Sequence, residues 1–287
     1  MTTTTRSITA VALVMGVAAF TLHTSRLLAA DTPGALGAPG APGATDAPGP
    51  LVEKTKFGTL NLTVKIPERP APGKPWLWVG EFGGHLQTLE EGLVEKGWHV
   101  VYLQYGSQFG SPAAMAMWEK VYAEMTGRRG LSARPAMLGI SRGGLYVNAW
   151  TRLHPDRVSV LYLDNGVCDI RSWPGGYELT AKGYGSGKDW ATYTKVFGFA
   201  SDEEAKANSV RPTDGMDAAV KAGVFLVSCH GTADKTVPYV DNAGVLVDFW
   251  EKSKGRFKVF PKEGGNHHPH GLPDPKALID LLCAEAK

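Results

Sequence analysis

The chain has 287 residues, 43% of them hydrophobic and 20% charged, with a formal net charge of +2. This length and composition fit one large α/β domain, and the small net charge gives no electrostatic basis for binding nucleic acid. Without zinc-finger cysteine spacing or a phosphate-binding P-loop, the sequence predicts neither a metal nor an organic cofactor.

Residues 1–30 have the order of a secretory signal peptide. Arg6 precedes an apolar run over residues 8–20, and small residues end the segment at Ala30. The run is short for a transmembrane helix. We therefore expect cleavage after Ala30, a secreted or periplasmic protein, and no stable membrane insertion after cleavage. An uncleaved anchor is the alternative.

Residues 31–50 are rich in Pro, Gly and Ala, which predicts a flexible linker. The folded domain is expected over residues 51–287. Its cysteines are Cys168, Cys229 and Cys283, and this odd number allows at most one disulfide. A reduced state of all three is equally consistent with the sequence.

Strand and helix patterns alternate after the linker. Predicted strands cover residues 58–66, 75–82, 99–105, 136–138, 158–164, 224–228 and 257–260, the first as an antiparallel edge strand. Predicted helices cover residues 86–96, 111–126, 144–150, 239–250 and 275–286. This order predicts a mostly parallel central sheet with helices on both faces, whose strand carboxyl ends meet at one edge, where ligands bind.

Residues 166–208 interrupt the alternation and are rich in Gly and aromatic side chains. Long irregular segments within compact domains are usually functional, so we predict a cap inserted after a strand. Trp173 in this segment and Glu81 outside it are expected to line a substrate pocket that is apolar or stacks on a sugar. A surface excursion without substrate contact is the alternative.

The pentapeptide GISRG at residues 139–143 lies between a predicted strand and a predicted helix. A serine at such a corner is typical of a nucleophile elbow, in which small neighbours, here Gly139 and Gly143, permit the strained turn. Ser141 is therefore the predicted nucleophile. A purely structural serine in the turn is the alternative.

A serine hydroxyl needs a nearby base, and the base needs an orienting carboxylate. Asp234 and His267 follow the last two predicted core strands, which makes them the predicted acid and base. Asp164 at the end of the preceding strand is the alternative acid, and His268 is the alternative base.

The remaining candidates concern the oxyanion and a metal. The backbone N–H groups of Arg142 and Phe82 are the predicted oxyanion hole. The Arg142 side chain has two interpretations, a structural or solvent-exposed role and hydrogen bonding to a substrate carboxylate or to the oxyanion. His267, His268 and His270 could bind a metal, but no carboxylate cluster accompanies them in the sequence, so no metal is predicted.

The loop from His230 to Pro238, with the pattern HGxxDxxVP, together with the GISRGG motif resembles the α/β-hydrolase superfamily, in particular its prolyl-oligopeptidase-like and esterase branches. The resemblance implies an α/β-hydrolase fold and a serine hydrolase activity, with Asp234 and His267 as acid and base. The pair Ser141-Arg142 is also similar to that of glucuronoyl esterases, which points to carbohydrate esters.

The sequence thus predicts an exported serine hydrolase that cleaves a small-molecule or carbohydrate carboxylic ester without a cofactor. A prolyl-oligopeptidase-like peptidase and a non-catalytic binding protein on the same fold are the alternatives.

Overall fold

The structure is a computed structural model that describes residues 50–286. The predicted signal peptide and all but the last residue of the predicted linker lie outside the described residues.

The elements of the domain alternate along the chain as strands and helices. The strands are β1 Leu51–Phe57, β2 Leu60–Ile66, β3 Trp76–Val79, β4 His99–Gln104, β5 Ala136–Ile140, β6 Val160–Asp164, β7 Phe225–Gly231 and β8 Phe257–Lys262. The α-helices are α1 Gln87–Glu95, α2 Pro112–Ala123, α3 Gly143–Leu153, α4 Gly187–Phe197, α5 Asp202–Ala207, α6 Asp217–Lys221, α7 Ala243–Lys252 and α8 Lys276–Glu285.

All eight strands form one sheet in the order β1-β2-β4-β3-β5-β6-β7-β8. β2 pairs antiparallel with both β1 and β4, and every other pairing is parallel. The predicted fold class is therefore confirmed. The prediction that residues 58–66 form an edge strand is wrong, because β1 covers that edge. β1 alternates between exposed and half-buried positions and contains three charged residues, so it lacks the continuous apolar run that identified the core strands.

The strands β5, β6, β7 and β8 are consecutive neighbours and run in the same direction. Their carboxyl ends therefore lie side by side at one edge of the sheet. The segments that follow these ends carry Ser141, Asn165, Asp234 and His267. Positions more than 120 residues apart in the chain are brought together in this way.

Both faces of the sheet are covered by helices. In β3 the indoles of Trp76 and Trp78 enter one core cluster, while Leu77 and Val79 enter the cluster on the opposite face. Trp78 stacks on Trp118 of α2 with ring centroids 4.4 Å apart. The two indoles thus belong to the core cluster that α2 and α3 complete on one face of the sheet. The alternating aliphatic residues belong to the cluster that α1 and α8 complete on the other face.

Residues 166–208 contain α4 and α5 and provide most of a separate small hydrophobic cluster. Phe109, from the loop before α2, joins Ile170, Trp190 and Tyr193 in it, and Trp173 packs against it half-buried. The separate cluster fits the predicted cap, which stays a prediction. Among the described helices none is long and apolar enough to cross a membrane. All three cysteines are free thiols.

Candidate active site

Ser141 follows the last residue of β5 in a left-handed backbone conformation, with φ of +47°. L-residues rarely adopt this conformation, so surrounding contacts must hold it. The Ser141 N–H donates to the Asp164 carbonyl at 3.0 Å, and the Ser141 carbonyl accepts from the N–H groups of Gly144 and Val167. These backbone bonds anchor the turn to the neighbouring strand end.

The turn can form because the chain segments beside it approach very closely. A Cβ atom on Gly144 would lie 2.5 Å from the Val167 carbonyl oxygen, and one on Gly139 would lie 2.6 Å from the Val147 side chain. Real Cβ contacts are not that short, so glycine is required at both positions. The predicted need for a small residue at Gly139 therefore has a direct steric cause, and Gly144 meets the same constraint although it was not part of the prediction.

Ser141, His267 and Asp234 form a continuous line of hydrogen bonds. Ser141 Oγ lies 2.9 Å from His267 Nε2, and His267 Nδ1 lies 2.8 Å from Asp234 Oδ2. Because a carboxylate only accepts, His267 Nδ1 carries a proton, and Nε2 of the neutral ring presents its lone pair to the serine hydroxyl. Asp234 and His267 are both buried.

The second oxygen of Asp234 is bound by its own loop. Asp234 Oδ1 accepts from the N–H groups of Thr236 and Val237 at 2.8 and 2.9 Å. The carboxylate is thereby held in one orientation, with Oδ2 facing His267. Both bonds end within the loop, so the carboxylate does not cap the helical turn that begins at Tyr239.

Asp164, the alternative acid, is fully buried and contacts another histidine. Its Oδ1 lies 2.9 Å from His270 Nδ1, and its Oδ2 accepts from the Tyr162 hydroxyl and the Gly271 N–H. Burial opposes ionisation, but the His270 hydrogen bond and the Lys262 charge outweigh it, so the pKa of Asp164 is lowered. The carboxylate serves a second Asp–His pair rather than His267.

His268, the alternative base, has an exposed side chain. Partial burial and then the neighbouring His270 and His267 lower its pKa. Its ring centroid lies 4.9 Å from that of His267 and 4.7 Å from that of His270. Of the two adjacent histidines, it is therefore His267 that the structure places between Ser141 and a carboxylate.

Asn165 connects two parts of the site and was missed by sequence reasoning. Its Nδ2 donates to the His267 carbonyl at 2.7 Å, and its Oδ1 accepts from the Gly231 N–H at 2.8 Å. Asn165 is buried and has φ of +45°, a conformation that Asn tolerates better than most residues. An Asn directly after the buried end of a strand was the available signal.

The predicted oxyanion hole lies between the elbow and the loop after β3. Phe82 also has a left-handed backbone, with φ of +64°. A Cβ on Gly143 at the start of α3 would lie 3.0 Å from the Glu81 N, so the loop packs directly on the elbow. Burial and the Glu81 charge raise the pKa of Tyr102, which lies beside the Phe82 backbone as a neutral phenol.

The Arg142 side chain is bound by two carboxylates. It donates to both oxygens of Glu81, at 2.9 and 2.6 Å, and to Asp189 Oδ1 at 2.8 Å. Phe82 and Phe109 each place a ring centroid 5.5 Å from the guanidinium carbon. Burial opposes the charge, but the carboxylates raise the pKa of Arg142. The guanidinium therefore has a structural ion pair, and Asp189 of α4 is a contact that sequence reasoning missed.

The two residues predicted to line the pocket occupy different surroundings. Glu81 is buried, and its Oε1 accepts from the Ser107 N–H in addition to Arg142. Its carboxylate is thus engaged by groups of the protein itself. Trp173 packs against the hydrophobic cluster of residues 166–208. The contact of either residue with substrate stays a prediction.

Solved structures with a similar fold include both peptidases and esterases. The Pyrococcus horikoshii acylaminoacyl peptidase matches with a TM-score of 0.61 and 15% identity, over 84% of this chain and 43% of its own. Est1E from Butyrivibrio proteoclasticus matches with a TM-score of 0.51 and 17% identity, over 82% of this chain and 98% of its own.

A third similar structure is a putative esterase from Staphylococcus aureus, with a TM-score of 0.57, 11% identity, and 82% coverage of both chains. The chain spans about two fifths of the length of the peptidase chains that it matches. No protein-family model and no curated protein sequence matches the chain. Sheet order, elbow geometry and these structural matches together show that the protein has the α/β-hydrolase fold.

Proposed function

We propose that the protein is a serine hydrolase that cleaves carboxylic esters, with Ser141 as nucleophile, His267 as base and Asp234 as the orienting acid. The observation that carries the proposal is the unbroken line of hydrogen bonds from Asp234 through His267 to a serine in a strained elbow. A nucleophile, a base and a buried carboxylate in this order are the arrangement that acyl transfer requires.

In the proposed reaction, Ser141 Oγ attacks the ester carbonyl while His267 Nε2 takes the hydroxyl proton. The N–H groups of Arg142 and Phe82 stabilise the oxyanion of the tetrahedral intermediate. The intermediate collapses as His267 returns the proton to the leaving alkoxide, which departs as the alcohol and leaves an acyl-enzyme. Water, deprotonated by His267, then attacks the acyl-enzyme carbonyl, and the acid leaves as His267 returns the proton to Ser141 Oγ.

Two of the similar structures support an ester rather than an amide substrate. Est1E and the Staphylococcus aureus putative esterase match over most of their own length, whereas the similar peptidases carry more than half of their chain outside the match. The aromatic residues of the predicted cap, including Trp173, support an apolar or sugar-containing substrate. A peptidase remains the second candidate, since the same chemistry cleaves amides.

We also propose that the protein is exported. The proposal depends on the charge, apolar run and small residues of residues 1–30. Sequencing the amino terminus of protein isolated from its native host tests it, with Asp31 as the expected first residue. An intact amino terminus would contradict cleavage.

The first experiment for the activity is labelling with a fluorophosphonate probe, which reacts covalently with activated serines. We expect labelling of the wild-type protein and none of Ser141→Ala. Ser172→Ala, which changes a buried serine of the cap segment, is the matched control and should be labelled. A folded wild-type protein that is not labelled would contradict the proposed function.

The ester preference is tested with paired substrates that share one acyl group. Short aryl esters, sugar esters and the corresponding aminoacyl or prolyl amides are compared by kcat/KM. A higher value for esters, lost in Ser141→Ala, supports an esterase. A preference for the amides would replace the esterase with the peptidase alternative.

A further inference from the structure

Three imidazole rings lie against one another where the loop after β8 reaches the sheet edge. The ring centroids of His267, His268 and His270 are 4.9, 5.0 and 4.7 Å apart, and the three rings are nearly perpendicular, at 81° to 83°. One nitrogen from each ring lies within 4.8 Å of the other two. The proposed reaction uses only one of these rings.

Two of the rings are oriented by carboxylates. His267 Nδ1 contacts Asp234 and His270 Nδ1 contacts Asp164, at 2.8 and 2.9 Å. Because each Nδ1 carries the proton of its carboxylate hydrogen bond, the lone pair of each neutral ring is on Nε2. Histidines that ligate zinc are commonly oriented by a carboxylate in this way.

We propose that His267, His268 and His270 form a binding site for Zn²⁺ and that the bound ion blocks the catalytic base. A tetrahedral Zn²⁺ holds nitrogen ligands at about 2.0–2.1 Å, which places them about 3.3 Å apart. One nitrogen of each ring lies within 4.8 Å of the other two, so these nitrogens need to approach one another by at most about 1.5 Å to bind one ion, and the exposed His268 is the ring with most freedom to move. Three histidines and a water then complete a tetrahedron.

The charges around the cluster favour a dication over a monocation or an anion. Asp234 and Asp164 supply two buried negative charges behind the rings, and Lys262 Nζ, 3.9 Å from Asp164 Oδ1, offsets part of one. The exposure of His268 gives the ion a path from solvent. The sequence argument against a metal was the lack of nearby carboxylates, and the fold supplies them from the end of β6 and from the loop after β7.

The consequence for catalysis rests on the proposed function. An ion on His267 Nε2 occupies the lone pair that accepts the Ser141 proton, so the metal-bound enzyme cannot activate its serine. The site therefore acts as an inhibitory zinc site that a chelator clears. Binding itself does not depend on Ser141 and is measurable without any substrate.

The test uses the chelator-treated protein without a histidine tag. Zn²⁺ binding is measured by titration calorimetry, and Co²⁺ replaces Zn²⁺ to give the visible absorption of a tetrahedral site. We expect one ion per chain in the wild type and in Ser141→Ala. The exposed His268 is the informative ligand, and His268→Gln should weaken binding by at least about 10-fold.

His154→Gln, which changes a histidine paired with Glu119 on another part of the domain, is the matched control and should bind like the wild type. Fluorophosphonate labelling of the wild type should be suppressed by Zn²⁺ and restored by chelator, with much weaker suppression in His268→Gln. Absence of saturable binding, or equal binding in His268→Gln, overturns the site. Binding that leaves labelling unchanged overturns the inhibitory role, and an unlabelled metal-free wild type contradicts the proposed function alone.

Discussion

The Arg142 guanidinium and the Glu81 carboxylate form a two-point ion pair that joins the nucleophile elbow to the loop carrying Phe82. Two nitrogens of Arg142 bind the two oxygens of the buried Glu81. A third nitrogen binds Asp189, which is more exposed and belongs to α4. The Arg142 side chain thus fixes the position of the predicted oxyanion loop through Glu81 and also contacts the predicted cap through Asp189.

We expect Arg142→Lys to lower kcat for ester hydrolysis by about 10- to 100-fold, because lysine cannot bind both oxygens and a loop shift of about 1 Å has effects of this size. Asp189→Asn keeps the Glu81 pair and should change kcat by less than about 3-fold, since partly exposed ion pairs contribute about 1 kcal/mol or less. Steady-state kinetics of both variants checks this. An equal loss of kcat in the two variants would show that the contact of Arg142 with Asp189, rather than its pair with Glu81, accounts for the effect.

Asn165→Ala removes the side chain that joins the Gly231 N–H to the His267 carbonyl. We expect the free energy of unfolding to fall by about 2–4 kcal/mol, because two buried backbone groups lose their partners. Labelling by the fluorophosphonate should slow as His267 loses its anchor. Asn61→Ala, at an exposed Asn bound to Gln104, is the control and should change neither quantity. Unaltered labelling of Asn165→Ala would contradict the anchoring role.

Gly144→Ala tests the steric requirement of the elbow. The new methyl group would lie 2.5 Å from the Val167 carbonyl, so we expect a loss of about 1–3 kcal/mol in unfolding free energy, together with reduced labelling of Ser141. Gly127→Ala has open space around its Cβ position and should be neutral or slightly stabilising. Denaturant unfolding of both variants gives the comparison, and equal stabilities would contradict it.

His99 links stability to pH. Burial, and to a smaller extent Lys74 and Arg129, lower its pKa, and a hydrogen bond to the Pro75 carbonyl opposes them only in part. The unfolded chain therefore takes up a proton at a higher pH than the folded protein, so His99 makes stability decline as the pH falls below about 6.5. We expect a smaller decline in His99→Gln. Unfolding curves of both proteins at pH 7.5 and at lower pH values measure the difference. An equal decline of the free energy of unfolding in the two proteins would contradict the role of His99.

The elements that pack on the core were predictable because their patterns report burial. β3, β4, β6 and β7 are continuous apolar runs, and each was identified to within a few residues. β1 was missed because its exposed, charged residues carry no such pattern, and its pairing with β2 depends on backbone hydrogen bonds. Short α6 likewise has too few residues for a helical period.

Some features of the candidate site were likewise predictable from the sequence, and others depended on the tertiary structure. Local chemistry determined the elbow at Ser141, since only a particular arrangement of small residues permits that turn, and the order of strands indicated which loops carry the acid and the base. The path of the backbone decided which of the adjacent His267 and His268 faces Ser141. Packing between distant loops decided that Asp164 binds His270 and that Arg142 binds Glu81, because partners 106 and 61 residues apart leave no local signal.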